Sequence, residues 1–192
     1  RDDFERLCRM STAPSPRQPV TLALALLQPF DAALWSALDP ELRLPLLEGL
    51  LELARGDHET GTGPLWQWLR DEAAVGPEAL HDFARLALAE RLLCSGEADA
   101  ACALVHGLEQ AQADAVRAAA LIVQGRWEAG SAAFEAARKL RSAATGKRKQ
   151  LMPTVLTWLY ALAQLARPQP AQWAAARKFV ASEAGRREAE AH

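Results

Sequence analysis

ALAERLLCSGEADAACALVHGL (87–108) and AAALIVQGRWEAGSAAFEAARKL (118–140) are two versions of one pattern. Each has an apolar run of helix-forming residues, a Gly, and two or three polar or bulky residues. A second run of small residues with one larger apolar side chain then follows. Gly96 and Gly125 occupy the same place, as do Ala98 and Trp127, and Val105 and Phe134. A Gly just past a periodic apolar run is a helix stop. Small residues let two helices approach closely, and the larger ones fill the grooves between them. A repeat of this kind predicts an all-α protein of stacked antiparallel helical hairpins, an α-solenoid.

The flanking residues extend the same reading. Asp31 is the expected N-cap of a helix over AALWSAL. Asp39-Pro40 opens the next, with Pro at the first helical position, and Gly56 closes it. GDHETGTGP (56–64) reads as a loop, LWQWLRDEAA (65–74) as a short helix, and 78–95 as an amphipathic helix. On that last helix Leu80, Phe83, Ala84, Ala87, Leu88 and Leu92 share one face. Further helices are expected over 97–108, 112–124, 126–141, 147–166 and 172–184. The expected organisation is a helical scrap and Ser/Pro-rich linker (1–19), an N-terminal helical subregion (20–76), the repeats (77–184) and a charged tail (185–192). The chain starts at Arg1 without Met and ends in a charged helical run, which reads as a piece of a longer protein.

Composition agrees with the all-α reading. The chain has 192 residues, half of them apolar, with a single Tyr. Ala and Leu dominate that half, and they favour helices over strands. The formal net charge of -2 creates no global field for nucleic acid or membranes. No apolar run approaches the ~18 residues that a bilayer requires. Three cysteines, Cys8, Cys94 and Cys102, are too few for a disulfide framework, and a cytoplasmic location is the expectation.

Catalytic constellations do not form. Gly146-Lys147 lacks the surrounding phosphate-loop residues, because Arg141 and Arg148 stand where a Gly and a Ser or Thr are required. Cys94, Cys102 and His106 offer three metal ligands without a fourth. His58 lies between two carboxylates in a Gly-rich loop, with no nucleophile nearby. No catalytic residue, cofactor or metal is assigned. Trp66, Trp68, Trp127, Trp158 and Trp173 are assigned to packing, with Trp66 or Trp68 expected to be partly exposed.

The strongest functional signal is basic. Arg126, Arg138, Lys139, Arg141, Lys147, Arg148 and Lys149 cluster around one helix end and the turn after it, whereas residues 31–114 are rich in Asp and Glu. Arg138, Lys139, Arg141, Lys147, Arg148 and Lys149 are the candidate contacts to nucleic acid or an acidic partner. Such contacts would be phosphate-directed and sequence-blind.

QGRWEAGSAAFEAA (124–137) resembles the turn and second helix of a tetratricopeptide repeat, through Gly125, Trp127, Phe134 and Ala137. Gly130 stands where that family prefers Ala. A longer run, GRWEAGSAAFEAARKLRSAATGKRKQLMPTVLTWLYALAQLARPQPAQWAAARKFV (125–180), resembles a helical segment found before the motor in bacterial Swi/Snf-type helicase-like ATPases. The F-E-A-A helix, the TGKRK turn and the aromatic-bearing helix after it carry that likeness. The motor's own nucleotide-binding motifs do not occur in this sequence. The resemblance implies a non-catalytic accessory region that positions the motor domain of the same chain or a protein partner, with weak non-specific nucleic-acid contact and no membrane. The alternative is a stand-alone protein-binding or regulatory domain with no nucleic-acid role.

Overall fold

The structure, a computed structural model, describes residues 30–56, 63–144, 152–166 and 170–191. The readings made for 1–19, for the stretch opening at Val20, for His58 and its neighbours and for the TGKRK turn lie outside the described residues. Among those described there are nine α-helices and no strand. The helices are α1 (Ala32–Ala37), α2 (Pro40–Gly56), α3 (Gly63–Val75), α4 (Asp82–Cys94), α5 (Ala98–Leu104), α6 (Ala111–Val123), α7 (Trp127–Ala144), α8 (Thr154–Leu165) and α9 (Pro170–Ala191). A 3-10 turn, Pro77–Ala79, precedes α4. The all-α expectation holds. The chain divides between Ala87 and Leu88 into two compact units.

In the first unit the predicted caps are in place. The Asp31 carboxylate accepts from the backbone N–H groups of Ala33 at 2.8 Å and Leu34 at 3.1 Å, two donors that a helix start leaves without partners. Pro40 is the first residue of α2. The Arg43 guanidinium donates to the Ser36 and Leu38 carbonyls at 3.0 and 2.9 Å, which closes the end of α1. Phe30, Trp35 and Trp68 form a trio with ring centroids 5.1–5.7 Å apart. Leu46, Leu50, Leu51, Leu65 and Leu69 are buried.

In the second unit the two glycines aligned in the sequence share one hydrogen-bond geometry. Gly96 and Gly125 have φ of 81° and 79°, a conformation that disfavours any side chain with a Cβ. After Gly96, the Glu97 N–H reaches back to the Leu92 carbonyl at 2.9 Å. After Gly125, the Arg126 N–H reaches back to the Leu121 carbonyl at 2.8 Å. These are the same six-to-one helix closure, placed 29 residues apart by the numbering of the two glycines. Val105 and Phe134, paired in the sequence alignment, are both fully buried. Ala98 and Trp127 are not equivalent: Ala98 is buried and Trp127 exposed. The second helices also differ in length, with 7 residues in α5 and 18 in α7. Pro153 ends up as the N-cap of α8, where its missing N–H removes no helical bond.

Helices α6 and α7 form the centre of this unit. Ala113, Ala115, Ala118, Ala119 and Ala120 of α6 are all buried, so α6 presents methyl groups in place of longer side chains. Gly130 of α7 lies directly against it. A Cβ at Gly130 would stand 2.6 Å from Ile122 Cγ1, 2.8 Å from the Ala118 carbonyl oxygen and 3.0 Å from the Ile122 nitrogen. Two of these three contacts are backbone atoms, which a side-chain rotation cannot relieve. The glycine that departs from the tetratricopeptide pattern is therefore required by the helix spacing.

Two stability measurements follow from this packing. Gly130→Ala in a helix interior ordinarily gains up to ~1 kcal/mol from propensity. Here the expected sign is reversed, with a loss of about 1–3 kcal/mol from overpacking in a denaturant melt. Phe134→Ala, which empties a fully buried site, is expected to cost about 3–5 kcal/mol.

Candidate interaction surface

The candidate basic residues that are described lie on α7, and the helix divides them. Lys139 is exposed, whereas Arg138 and Arg141 are half-buried. The Arg138 guanidinium lies 3.2 Å from the Glu135 carboxylate and 4.8 Å above the Phe179 ring of α9. The Arg141 guanidinium lies 3.5 Å from the Met152 sulfur. Burial lowers its proton affinity below the ordinary guanidinium value, and the Glu90 carboxylate acts in the opposite direction. These two cations are thus partly spent on packing and internal charge. Lys147, Arg148 and Lys149 lie outside the described residues, and Arg126 is exposed just before α7.

Arg138 belongs to a closed cluster that joins α7, α8 and α9. Phe134 stacks on Tyr160 with centroids 4.7 Å apart and planes within 16°. Tyr160 meets Phe179 edge-on at 5.0 Å, and Arg138 covers Phe179. The Tyr160 hydroxyl donates to the same Glu135 carboxylate that pairs with Arg138. Edge-to-face geometry and a cation over a ring face both follow the quadrupole of the aromatic system. The polar end of each side chain has a partner, so the cluster is a joint between helices.

The outward side of α8 is different. Its sequence, TVLTWLYALAQL, holds no ionisable side chain apart from Tyr160. The inward face takes Leu156, Thr157, Tyr160, Ala161, Ala163 and Gln164, all buried. A helix has one inward face, so the remaining apolar residues must face out. Trp158 and Leu162 are each 54% exposed and Leu165 is 46% exposed. At spacings of four and three these residues form one stripe. On α9, Trp173 is 44% exposed, and its indole N–H donates to the Leu165 carbonyl at 3.2 Å. At the other end of the stripe, Trp158 and Thr154 share a cleft of about 110 Å³ with Val180, Glu183 and Ala184. Glu183 is buried there and pairs with Arg186 at 2.9 Å.

This arrangement corrects the expectation for the tryptophans. Trp127, Trp158 and Trp173 were expected to pack and are exposed, while Trp66 is buried and Trp68 half-buried. The available signal was the absence of a polar face on α8, since a helix that is apolar all round needs cover on every side. Arg177 and Lys178 of α9, both exposed, were also missed. They lie 28 and 29 residues after Lys149, outside the basic run.

The described residues offer little reactive chemistry. Burial raises the proton affinity of both Cys94 and Cys102, which reduces thiolate character. No group of three or more His, Cys, Asp or Glu among the described residues could hold a metal ion. Glu90 is buried and accepts from the Gln112 side-chain amide at 2.7 Å, and Arg117 donates to the Val105 and Leu108 carbonyls at 2.7 and 2.9 Å. Both tie α6 to its neighbours. No described helix is long and apolar enough to cross a membrane. Compared with family models, curated proteins and solved structures, the chain matches none.

The assignment of Arg138 to the joint has a direct test. A double-mutant cycle with Arg138→Met and Phe179→Leu is expected to give a coupling of about 0.5–2 kcal/mol. A coupling near zero in denaturant melts would place the guanidinium in solvent.

Proposed function

We propose that this chain is a non-catalytic, tetratricopeptide-like interaction domain, the accessory helical region of a bacterial Swi/Snf-type helicase-like ATPase. Its role is to position the motor domain of the same protein or a partner, with weak nucleic-acid contact through its basic turn. The observation that carries the interaction role is the uncovered apolar face of α8, with Trp158, Leu162 and Leu165 exposed on one stripe. Large exposed apolar patches mark surfaces that meet other molecules. This stripe lies inside residues 125–180, the stretch whose sequence resembles the segment before the motor. The paired Schellman closures at Gly96 and Gly125 support the repeat character.

The nucleic-acid part rests on Lys139, Lys147, Arg148 and Lys149. Arg138 and Arg141 contribute less because packing and carboxylates already occupy them. Titration with duplex DNA at low salt is expected to show weak binding with a log-log salt slope of roughly -3 to -4, near one counterion per cation. Replacing Lys139, Lys147, Arg148 and Lys149 by Ala should abolish the slope and leave the melting temperature nearly unchanged, because exposed charges contribute little to stability. Arg138→Gln should leave the slope as it is. Binding that survives the fourfold replacement would exclude this stretch as the contact.

A further inference from the structure

We infer that the groove between the outer faces of α8 and α9 is a docking site for an amphipathic helix of a partner protein that carries acidic residues beside its apolar stripe. The inference rests on the interaction-domain reading and adds the chemistry of the partner.

The walls of the groove specify its occupant. On α8 the stripe is Trp158, Leu162 and Leu165. On α9 the residues Trp173, Arg177, Val180 and Ala184 recur at spacings of four, three and four, so they share one helix face. The two helices are fastened at both ends of this strip. Trp173 bonds the Leu165 carbonyl at one end, and Val180 and Ala184 share the cleft with Trp158 at the other. Two such walls present ridges and a groove that a third helix can fill. An apolar strip of this spacing matches anchors at i, i+3 or i+4, and i+7 on the incoming helix. Among the described residues there is no sheet edge to which an extended peptide could add.

Charge selects among helices. Between Thr154 and Leu165 the one ionisable side chain is Tyr160, which faces inward, so α8 brings no acid or base to the groove. Glu183 is the one carboxylate lining the cleft, and it is buried and paired with Arg186. Arg177 stands one turn beyond Trp173 on the same face, with Lys178 next to it, and both are exposed. Neither pairs with a carboxylate among the described residues. The border is therefore apolar and cationic, which favours Asp or Glu on the partner. A second copy meeting this face across a two-fold axis would set the same cationic patch against itself. A nucleic acid would need phosphate contacts in number, whereas this groove offers an apolar wall with Arg177 on its face and Lys178 on the adjoining side of α9.

The probe is a capped synthetic Leu/Ala/Glu peptide of about 18 residues, long enough to become helical when bound, with its Leu residues at i, i+3 or i+4, and i+7. A Lys-for-Glu version is the control. Tryptophan emission of the whole chain reports on the groove. The Glu peptide is expected to shift the emission and to bind at least tenfold more tightly than the Lys peptide. Leu162→Ser should weaken it at least tenfold. R177E/K178E, whose sites are exposed, should reverse the preference between the peptides while the melting temperature stays constant. Equal binding of the two peptides, or no binding of either, overturns the acidic-helix proposal. If neither binds but the chain self-associates in sedimentation and Leu162→Ser abolishes this, the face serves a second copy. The proposal then fails while the interaction reading stands. Binding to single-stranded DNA or to anionic phosphatidylserine vesicles that Leu162→Ser abolishes, with neither peptide bound, overturns the protein-partner assignment in the same way. A face that meets none of these probes and does not self-associate overturns both readings.

Discussion

The second unit depends on the separation between α6 and α7. Gly130 lies so close to the Ala118 carbonyl and the Ile122 side chain that a single methyl group would collide with both. That contact fixes the depth at which α7 sits, and the other contacts of α7 follow from it. Phe134, one turn later, enters the core completely and offers its ring to Tyr160. Tyr160 then places α8, and Phe179 places α9 against Tyr160. A small-residue contact of this kind gains its energy from many dispersion contacts at short range. It tolerates no enlargement, because closely packed interiors have no slack to absorb volume.

The same joint explains how positive charge is used along α7. Arg138 has an aromatic face below it and a carboxylate beside it, and Arg141 faces Glu90 and a thioether. Long cationic side chains often lay their stems over apolar surface and keep only the charged end near water. On α7 this habit converts part of a basic stretch into structural material. Lys139, on the other side of the helix, keeps its charge in solvent. A run of cations in sequence is therefore two populations in space, separated by the helical period.

Much of the architecture was legible before the structure. Asp31, Pro40 and the two closing glycines each act through one local interaction, and local interactions are written in adjacent residues. Val105 and Phe134, aligned in the two sequence patterns, are both buried. The alignment failed at Trp127, where a first-turn residue faces solvent although its counterpart Ala98 is buried. The break at Leu80 and His81 before α4 was read through as continuous helix, because the apolar spacing persists across it. The outer face of α8 was misjudged because aromatic residues were assigned to the core by type. The inward side of that helix was already filled by six other residues. The depths of Arg138 and Arg141 depend on Phe179, Met152 and Glu90, which are remote in sequence, and no local pattern announces them.

Tyr160 is the chain's single tyrosine, and it lies at the crossing of three helices. Its hydroxyl is bonded to Glu135 and its ring touches both Phe134 and Phe179. Phenol absorption depends on hydrogen bonding and on the polarity around the ring. The near-ultraviolet difference spectrum of this protein therefore contains one tyrosine signal that belongs to one place. The six tryptophans include the exposed Trp158 and Trp173, so a change in indole emission follows the outer surface and not this joint. The phenol band is a built-in gauge of whether α7, α8 and α9 are engaged with one another.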